Sequence, residues 1–366
     1  MKLVIQNTAR VWGGNEKSLA TLAHGLVERG HHVIVSCARG VVSERLKETG
    51  IDTTHCRPRG QIDFVSGLSF AGWLKKHAPD SLLMTSWNPI PWAAMSARIA
   101  GVKNVVLRQG IVRRAPRSGP HAYALRHWVS DVITNAPEIR DVWLESIPEF
   151  PSSRVHVVLN AVASNASRRD QMRARLRSEL AVNNETVVIS AAGILSRRKN
   201  FELLLEAFAR LREVDAMIAI VGDGPHREAL EAKTSELGLD RCVRFLGARA
   251  QGAEVIGGSD VFVLSSNNEG MANVMLEAMA AGVPVIASDI SGVRTAIGPH
   301  DSRRAAGWIF PPDDASSLAN TMSETIALLR TNPGALRVTT DEALWRIDNW
   351  FSRDRMLDQS ERILFG

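Results

Sequence analysis

Two glutamates eight positions apart, Glu269 and Glu277, are the residues of this sequence best suited to do chemistry. Glu269 ends a polar loop, and Gly270 separates it from a run with helical periodicity that contains Glu277. Carboxylates suit the hydroxyl groups of a sugar or a ribose, whereas the backbone N–H groups at a helix start suit a phosphate. Eight helical residues advance ~12 Å, so both carboxylates could contact one elongated ligand. A structural ion-pairing role for the two glutamates is the alternative that the pattern leaves open.

The elements that flank this helix would place it at a ligand-binding edge. Val261–Leu264 is an apolar run short enough for a strand buried on both faces, and Val283–Ala287 has the same character. Gly282 and Pro284 end the helix between them. In an open sheet of parallel strands, ligands bind beside the carboxyl ends of the strands, which is where the loop before Gly270 would lie.

Length and composition limit the class of protein. At 366 residues, with 45% apolar and 23% charged residues, the chain suits two globular domains that each bury a core. No run of 18 apolar residues predicts a membrane helix, and no signal peptide is predicted. Cys37, Cys56 and Cys242 have no paired spacing, which predicts reduced thiols in a cytoplasmic protein. No cluster of side chains has metal-ligand spacing.

The net charge of +5 and one segment without acidic residues point to an anionic partner. Residues 81–130 contain no Asp or Glu but carry seven Lys and Arg side chains. A nucleotide, an acidic glycan, an anionic membrane surface or a nucleic acid would suit this charge, but no nucleic-acid-binding motif is present. Trp87 and Trp92 add rings suited to sugar stacking or to a membrane interface. The alternative is that both tryptophans are core residues and the arginines face solvent.

Strands and helices alternate along the chain, which predicts parallel, doubly wound sheets. The predicted strands are Lys2–Gln6, His32–Cys37, Ser81–Thr85, Asn104–Arg108, Asp131–Thr134, Val155–Leu159, Thr186–Ala192, Ala216–Val221 and Val243–Gly247, besides the two above. The polar, arginine-rich segment Ser164–Asn184 is the clearest change in composition and predicts a linker. The predicted domains are residues 1–164 and 165–349, followed by a final helix within residues 350–366.

The stretch that begins at Glu269 closely resembles the donor-site signature of glycosyltransferase family 4, whose members are retaining enzymes with the GT-B fold. The signature E-G-x(6)-E-A-M-A-x-G-x-P-V is matched at Glu269, Gly270, Glu277, Ala278, Met279, Ala280, Gly282, Pro284 and Val285. The resemblance implies that Glu269 contacts the donor sugar and that Glu277 contacts the ribose. Val221–Pro225 and Val243–Gly247 match two further motifs of the family in the same order. The donor-binding residues so implied are Gly14, Gly193, Arg198, Gly222, Gly224, Leu246, Gly270, Met271, Ala272, Asn273 and Glu277.

The N-terminal half resembles the family more weakly. Gly13–Glu16 matches the G-G-x-E that family members place near the donor phosphates and the acceptor. Gln109 stands where many members have a sugar-contacting histidine; it could donate a hydrogen bond but could not act as a base, and a structural role is equally supported. The acceptor-binding residues so implied are Asn15, Glu16, Trp87, Arg108 and Arg113.

The loop after Gly193 departs from the family at one position. The usual arginine directly after the glycine is Ile194, whereas the lysine that follows is retained as Lys199. In an extended segment, side chains two apart share a face, so Arg197 is predicted to join Lys199 at the diphosphate and Arg198 to point away. The alternative is that both arginines solvate the next helix. The predicted catalytic residues are Glu269, Lys199, Arg197 and Gln109.

The resemblance implies a GT-B fold of two Rossmann-like domains that face a cleft, with the C-terminal helix crossing back to the first domain. It implies a retaining, metal-independent hexosyltransferase that takes a UDP-sugar, or a GDP-sugar, as co-substrate and needs no other cofactor. The acceptor would be a glycan, a lipid-linked molecule or a small molecule, reached in the cytoplasm or at the inner face of the membrane. Departures at Ile194, Gln109 and Thr295, where the family usually has a glutamate, keep open the alternative of a degenerate glycosyltransferase-like partner subunit. A separate alternative is another GT-B enzyme such as a nucleotide-sugar epimerase.

Overall fold

The computed structural model describes residues 1–60, 63–211, 214–249, 251–299 and 303–366, and these form two compact units. Unit 1 comprises Met1–Ala161 and Arg353–Gly366, and unit 2 comprises Val162–Ser352. Each unit has its own parallel sheet with helices on both faces. The predicted α/β class with two doubly wound parallel sheets is therefore confirmed.

Unit 1 contains seven parallel strands among its described residues: β1 (Lys2–Gln6), β2 (His32–Ser36), β3 (Asp52–Thr54), β4 (Ser81–Met84), β5 (Asn104–Gln109), β6 (Asp131–Thr134) and β7 (Val155–Val157). Their order in the sheet is β3-β2-β1-β4-β5-β6-β7, so the direction of winding reverses between β1 and β4. The helices are α1 (Gly14–Glu28), α2 (Val41–Glu48), α3 (Phe64–His77), α4 (Ile90–Ala100), α5 (Gly119–His127) and α6 (Pro137–Ser146).

Successive side chains of a strand point to opposite faces, and both faces of this sheet are buried. In β1, Leu3 and Ile5 join the apolar cluster that contains Leu19 of α1. Val4 joins the cluster on the other face, which contains Phe70 of α3. The near-continuous apolar runs of the strands follow from this double burial.

Unit 2 contains six parallel strands within the described ranges: β8 (Val187–Ala192), β9 (Ala216–Val221), β10 (Val243–Phe245), β11 (Val261–Leu264), β12 (Val285–Ser288) and β13 (Trp308–Phe310). Their order is β10-β9-β8-β11-β12-β13, with the reversal between β8 and β11. The helices are α7 (Arg169–Leu180), α8 (Phe201–Phe208), α9 (Arg227–Glu236), α10 (Gly252–Gly258), α11 (Asn273–Ala280), α12 (Val293–Ile297), α13 (Ala315–Thr331) and α14 (Pro333–Asn349).

The last helix, α15 (Arg353–Phe365), belongs to unit 1 and packs against α1. A Cβ added at Gly25 of α1 would lie 2.5 Å from the side chain of Leu357, so the glycine allows the two helices to approach closely. Glu361 of α15 lies 2.6 Å from the His31 ring and 2.8 Å from the Arg29 guanidinium. The chain thus returns to its N-terminal unit through both apolar packing and ion pairs.

The segment Ser164–Asn184, predicted to be a linker, instead contains α7, so that prediction is wrong. Its buried residues Met172, Leu176 and Leu180 recur every four positions and form one face of the helix, which packs against α10. Arg177 is buried as well and pairs with Asp260 at 2.7 Å. The composition was misleading because the arginines of this helix either surround a narrow apolar stripe or pair inside the unit.

Candidate active site

A carboxylate and two cations meet in unit 2 at the carboxyl edge of the sheet. Glu269 Oε1 lies 2.7 Å from Lys199 Nζ, and Glu269 Oε2 lies 3.1 Å from Arg198 Nη1. Glu269 and Lys199 are both buried, whereas Arg198 is exposed. The contact at Oε1 is an ion pair without hydrogen-bond alignment, so this buried oxygen accepts no hydrogen bond from any described residue. The cluster carries one net positive charge and retains an acceptor atom.

Two loops hold this cluster together. The loop after β8 contains Lys199, and the loop after β11 contains Glu269; these strands are neighbours in the sheet. The Ser265 hydroxyl donates to the Lys199 carbonyl, and the Asn267 N–H donates to the Arg198 carbonyl at 2.9 Å. The two loops are therefore joined along their backbones as well as through the charged side chains.

Glycines allow the backbone around Lys199 to pack closely. Gly222, which follows β9, has φ +140°, and an added Cβ would lie only 1.8 Å from the Gly193 carbonyl oxygen. Gly193 has φ +150°, and its Cβ would lie 2.9 Å from Lys199 Cε. At Gly224 the Cβ would meet the Leu195 carbonyl at 2.5 Å. The glycines predicted from the sequence thus bring the loops after β8 and β9 together beside the lysine.

The second glutamate of the pair, Glu277, lies half buried in α11. This helix starts at Asn273, with Ala272 as its N-cap, so Glu269 precedes it by four residues. Met271 and Ala272 are buried at the point where the loop enters the helix. The N-terminal end of the helix dipole lies at this edge, where it favours a negatively charged ligand group.

The predicted geometry of the arginines is wrong. Arg197–Lys199 forms a turn of 3-10 helix and is not extended. With three residues per turn, Arg197 and Lys199 do not share a face. The arginine that joins Lys199 at Glu269 is Arg198, which also donates to the Asn268 carbonyl at 3.1 Å. Arg197 is exposed.

Unit 1 has a second polar site at the carboxyl edge of its own sheet. A small cavity of about 40 Å³ is lined by Asn7, Asn15, Glu16, Leu19, Thr85, Arg108, Gly110 and Asn135. The structure thus brings together three of the predicted acceptor residues, Asn15, Glu16 and Arg108. Glu16 accepts a hydrogen bond from the Gly13 N–H at 3.1 Å, which fixes the start of α1.

Arg108 is held by neutral groups. Its guanidinium donates to the Ser18 hydroxyl at 2.7 Å and to the Asn160 side-chain oxygen at 2.9 Å. Burial lowers the pKa of Arg108 to about 10, against the opposing influence of Glu16, so the side chain is still a cation at neutral pH. Its two identified donations tie α1 to the segment after β7.

The other predicted residues of unit 1 lie outside this cavity. The Gln109 side chain is buried and donates to the Ile111 carbonyl at 2.8 Å, which favours the structural role left open by the sequence. The Trp87 ring is half buried and stacks on His121, with a centroid separation of 5.5 Å. The guanidinium of Arg113 lies 4.8 Å from the centroid of the same ring. Trp87 and Arg113 therefore contact each other.

Comparisons with known proteins agree with this arrangement. Models of two families match different halves: "Glycosyltransferase Family 4" matches residues 12–165, and "Glycosyl transferases group 1" matches residues 172–331. The lipopolysaccharide core biosynthesis glycosyltransferase LpsE of Rhizobium meliloti (strain 1021) is 30% identical over 284 residues, which are 76% of this chain and 77% of that protein. The chain belongs to glycosyltransferase family 4. It is an enzyme that transfers a sugar from a nucleotide-sugar donor.

Two further similarities concern a shorter region and the fold. LpsD of the same strain is 38% identical over 117 residues, and the match spans 32% of this chain and 33% of that relative's length. The crystal structure of Anabaena Alr3699/HepE in complex with UDP-glucose has a TM-score of 0.83 at 19% identity, covering 99% of this chain and 98% of that one. The second similarity confirms that this glycosyltransferase has the GT-B fold.

Sequence reasoning missed several polar residues of this glycosyltransferase. Asn7, Thr85 and Asn135 each follow a strand directly, and all three line the cavity of unit 1. Asn135 Oδ1 is buried and accepts no hydrogen bond within the described part of the chain. The same is true of the Ser266 hydroxyl in the loop before Glu269. The signal was available, because a polar residue directly after a buried parallel strand lies at the ligand edge.

The described residues contain no group of three or more His, Cys, Asp or Glu side chains arranged to hold a metal ion. None of the described helices combines the length and apolarity needed to cross a membrane.

Proposed function

We propose that this glycosyltransferase moves a sugar, with retention of anomeric configuration, from a UDP-sugar to a lipid-linked glycan, and that it does so without a metal ion. The observation that carries the proposal is the cluster of Glu269, Lys199 and Arg198 at the carboxyl edge of the unit 2 sheet. This cluster combines cations that could bind a diphosphate with a carboxylate oxygen that could accept a hydrogen bond from a sugar hydroxyl.

The positive groups of this cluster suit the leaving group. The bond between the anomeric carbon and the diphosphate oxygen breaks, and the acceptor oxygen bonds to that carbon on the same face. The acceptor proton passes to the departing oxygen. Negative charge grows on the diphosphate, so Lys199, Arg198 and the N-terminus of α11 would stabilise the transition state. These groups supply positive charge directly, which is why we propose metal independence.

Glu269 would orient the donor sugar. Its Oε1 is buried, lies beside Lys199 and accepts no hydrogen bond from the described residues, so a sugar hydroxyl could donate to it. Glu277 would accept from the ribose hydroxyls, as the family resemblance implies. In this assignment Glu269 acts on the sugar and Glu277 on the nucleotide.

The donor base and the acceptor class rest on the relatives. UDP is favoured over GDP because HepE, which has the same fold, binds UDP-glucose. A lipid-linked glycan is favoured because LpsE and LpsD act in lipopolysaccharide core biosynthesis. We place the acceptor in unit 1, where the amides of Asn7, Asn15 and Asn135 line a polar cavity. Amide groups donate and accept hydrogen bonds and therefore suit the hydroxyls of a glycan.

The experiment has two stages. Thermal stabilisation is first measured with UDP, GDP and ADP, because a ligand that binds only the folded state raises the melting temperature. Release of nucleotide diphosphate from the matching nucleotide-sugars is then followed with and without EDTA, and NMR of the glycoside product gives its anomeric configuration. We expect the largest stabilisation from UDP, EDTA-resistant release and a retained anomer.

Each alternative has its own result. Nucleotide binding without any release of diphosphate, with all donors and acceptors tried, would indicate a degenerate partner subunit. Stabilisation by GDP alone would replace UDP with GDP as the proposed donor nucleotide. Loss of activity with EDTA would reject metal independence, and a product of inverted anomeric configuration would reject the retaining assignment.

A further inference from the structure

An apolar patch on the surface of unit 1 has no role in the site described above. Phe64, Val65 and Leu68 of α3 and Ile99 of α4 are each between 54% and 60% exposed. The three residues of α3 lie within one turn of each other, on the solvent side of the helix. Exposed apolar residues clustered in this way mark an interaction surface more often than residues scattered singly.

The patch is additional to the apolar core of the unit. The inner side of α3 is formed by Phe70, Ala71 and Leu74, which are buried against the sheet. Helix α4 packs so closely on α3 that a Cβ at Gly67 would lie 2.7 Å from the Trp92 ring. These contacts hold the inner side of α3 in place. Of the outer apolar residues, Phe64 also lies beside the Trp92 ring, with a centroid separation of 6.5 Å.

Basic side chains continue the same helix surfaces. Lys75 lies two turns after Leu68 on the exposed side of α3, and Lys76 is next to it. Arg98 precedes Ile99, and Lys103 follows the end of α4. All four are exposed, and none forms an ion pair with any residue that the structure describes. Residues 64–79 contain no Asp or Glu, so this charge is not neutralised along the helix.

A basic cavity adjoins the other end of the patch. Just before α3, a cavity of about 220 Å³ is lined by His55, Cys56, Arg57, Arg59, Asp63, Val65, Ser66 and Ser69. The Asp63 carboxylate is used at the helix N-terminus, where it accepts from the Ser66 N–H at 3.0 Å. Burial, and then the nearby charge of Arg59, lower the pKa of Arg57. Hydrogen bonds from Ser66, and then the charge of Arg59, lower the pKa of Asp63, but neither arginine forms a salt bridge with a carboxylate among the described residues, which suits an anionic group.

We propose that Phe64, Val65, Leu68 and Ile99, with the basic groups at both ends of this patch, dock the enzyme on an anionic lipid bilayer. Apolar side chains would enter the interface while lysines and arginines contact lipid phosphates, which is how amphipathic surface helices bind membranes. A second copy of the chain is a poorer occupant. A symmetric contact would bring the same unneutralised cations against each other.

This placement differs from the segment suggested by charge alone. Within residues 108–126, several basic groups already have partners. Arg113 contacts the Trp87 ring, Arg114 pairs with Glu145 at 3.4 Å, and Arg126 lies 3.7 Å from Glu149. The basic groups of α3 and α4 have no such partners in the described structure, so the surface of these helices is better suited to lipid phosphates.

The inference rests on the proposed lipid-linked acceptor for its setting, but it can be tested without any substrate. Flotation with vesicles of phosphatidylcholine, alone or mixed with phosphatidylglycerol, measures docking, and stabilisation by UDP measures the donor site separately. We expect binding only to the mixed vesicles, weakened by salt because the exposed charges are screened. Intact stabilisation by UDP without flotation would therefore overturn the docking surface and leave the transferase assignment standing.

Two sets of variants locate the surface. Lys75→Glu with Lys76→Glu should reduce partitioning by about fivefold or more for each cation removed. Phe64→Ser, Val65→Ser and Leu68→Ser together should reduce it at least about tenfold. All five side chains are exposed, so UDP stabilisation and folding should be retained.

Matched controls change similar residues elsewhere. Val41→Ser with Val338→Ser removes exposed apolar side chains, and Arg330→Glu with Arg337→Glu makes the same change of charge in unit 2. Both controls should float like the wild type. Flotation of the α3 variants at the level of these controls would reject this surface. So would conversion of a dimer to a monomer by the serine variant with vesicle binding unchanged, because the patch would then be a self-association face.

Discussion

Unit 2 contains two largely buried carboxylates, those of Glu269 and Glu342, and each lies between two cations. Glu342 Oε1 accepts from Arg303 Nε and from Arg346 Nε, both at 2.9 Å. Glu269 has Lys199 at 2.7 Å and Arg198 at 3.1 Å. Since the charges and distances are similar, the difference between the two clusters lies in what the cations do with their remaining hydrogen-bond donors.

The cations at Glu342 use their other groups inside the protein. Arg346 also donates to the carbonyls of Ala296, Gly298 and Arg304, and the guanidinium of Arg303 lies over the Trp345 ring. Lys199 has only Glu269 as a carboxylate partner within the described residues. An ion-pair cluster whose donors are all used within the protein therefore stabilises the fold, whereas a cluster with unused donors at a ligand edge can bind substrate.

The largest effect is expected from Arg346→Met. The side chain is fully buried, so its removal leaves three carbonyls without this donor and Glu342 with Arg303 as its remaining partner. Breaking one partner of a buried pair should lower the free energy of unfolding by about 3–5 kcal/mol. Urea unfolding measures this loss, and kcat of the variant that is still folded should equal that of the wild type. Arg337→Met, at an exposed position, is the matched control; an equal loss there, or a selective loss of kcat in Arg346→Met, would contradict the structural assignment.

Lys199→Ala is the corresponding change at Glu269. Removal of the cation that we propose stabilises the leaving diphosphate should reduce kcat/KM by about 100- to 1000-fold. Steady-state release of UDP measures this effect, and Lys233→Ala, which removes a lysine from the surface of α9, is the control. If Lys199→Ala kept more than a tenth of the activity, or lost activity only through unfolding, Glu269 and Glu342 would belong to the same structural class.

Arg198→Ala and Arg197→Ala test the geometry of the loop. Arg198 contacts Glu269, so its removal should reduce kcat/KM by about tenfold. Arg197 is exposed on another side of the 3-10 turn, and its removal should change kcat/KM by less than about twofold. Parallel assays of the two variants decide the order. A larger loss of kcat/KM for Arg197→Ala than for Arg198→Ala would favour the extended geometry that was predicted from the sequence.

The sequence predicted the strands but not the orientations of Arg197 and Arg198. The strands were predicted well because each is a short apolar run between polar turns, and β1, β6, β9 and β11 have the bounds that were predicted for them. Gly193 and Glu269 were predicted as site residues because their spacing and residue types match the family's motifs. The orientation of Arg197 and Arg198 depends on whether three residues form an extended segment or a 3-10 turn, and neither spacing nor composition determines that.

The same limit explains the error in residues 164–184 and the omissions in unit 1. Helix α7 has few apolar residues, and besides their packing against α10 it is held by the pairing of Arg177 with Asp260, more than 80 positions away. Asn135 joins the cavity of unit 1 because β6 ends beside β5. Such contacts between distant positions follow from the order of strands in the sheet, which alternation alone does not give.

The smallest expected effect is the pH dependence of Glu342→Gln. Burial raises the pKa of Glu342, but hydrogen bonds from Arg303 and Arg346 outweigh it and hold the pKa below its ordinary value of 4.5. The folded protein thus binds this proton less tightly than the unfolded chain, so the carboxylate stabilises the fold above pH 4.5 and this contribution is lost as the pH falls through the lowered pKa.

The Glu342→Gln variant should lose about 1 kcal/mol of unfolding free energy at neutral pH, and this gap between the variant and the wild type should close in acid. Urea unfolding of both proteins across this range measures the gap, with the exposed Glu324→Gln as control. If the difference in unfolding free energy stayed constant down to the lowest pH at which the protein folds, the packing of the Glu342 side chain, and not its ion pairs with the two arginines, would hold this cluster together.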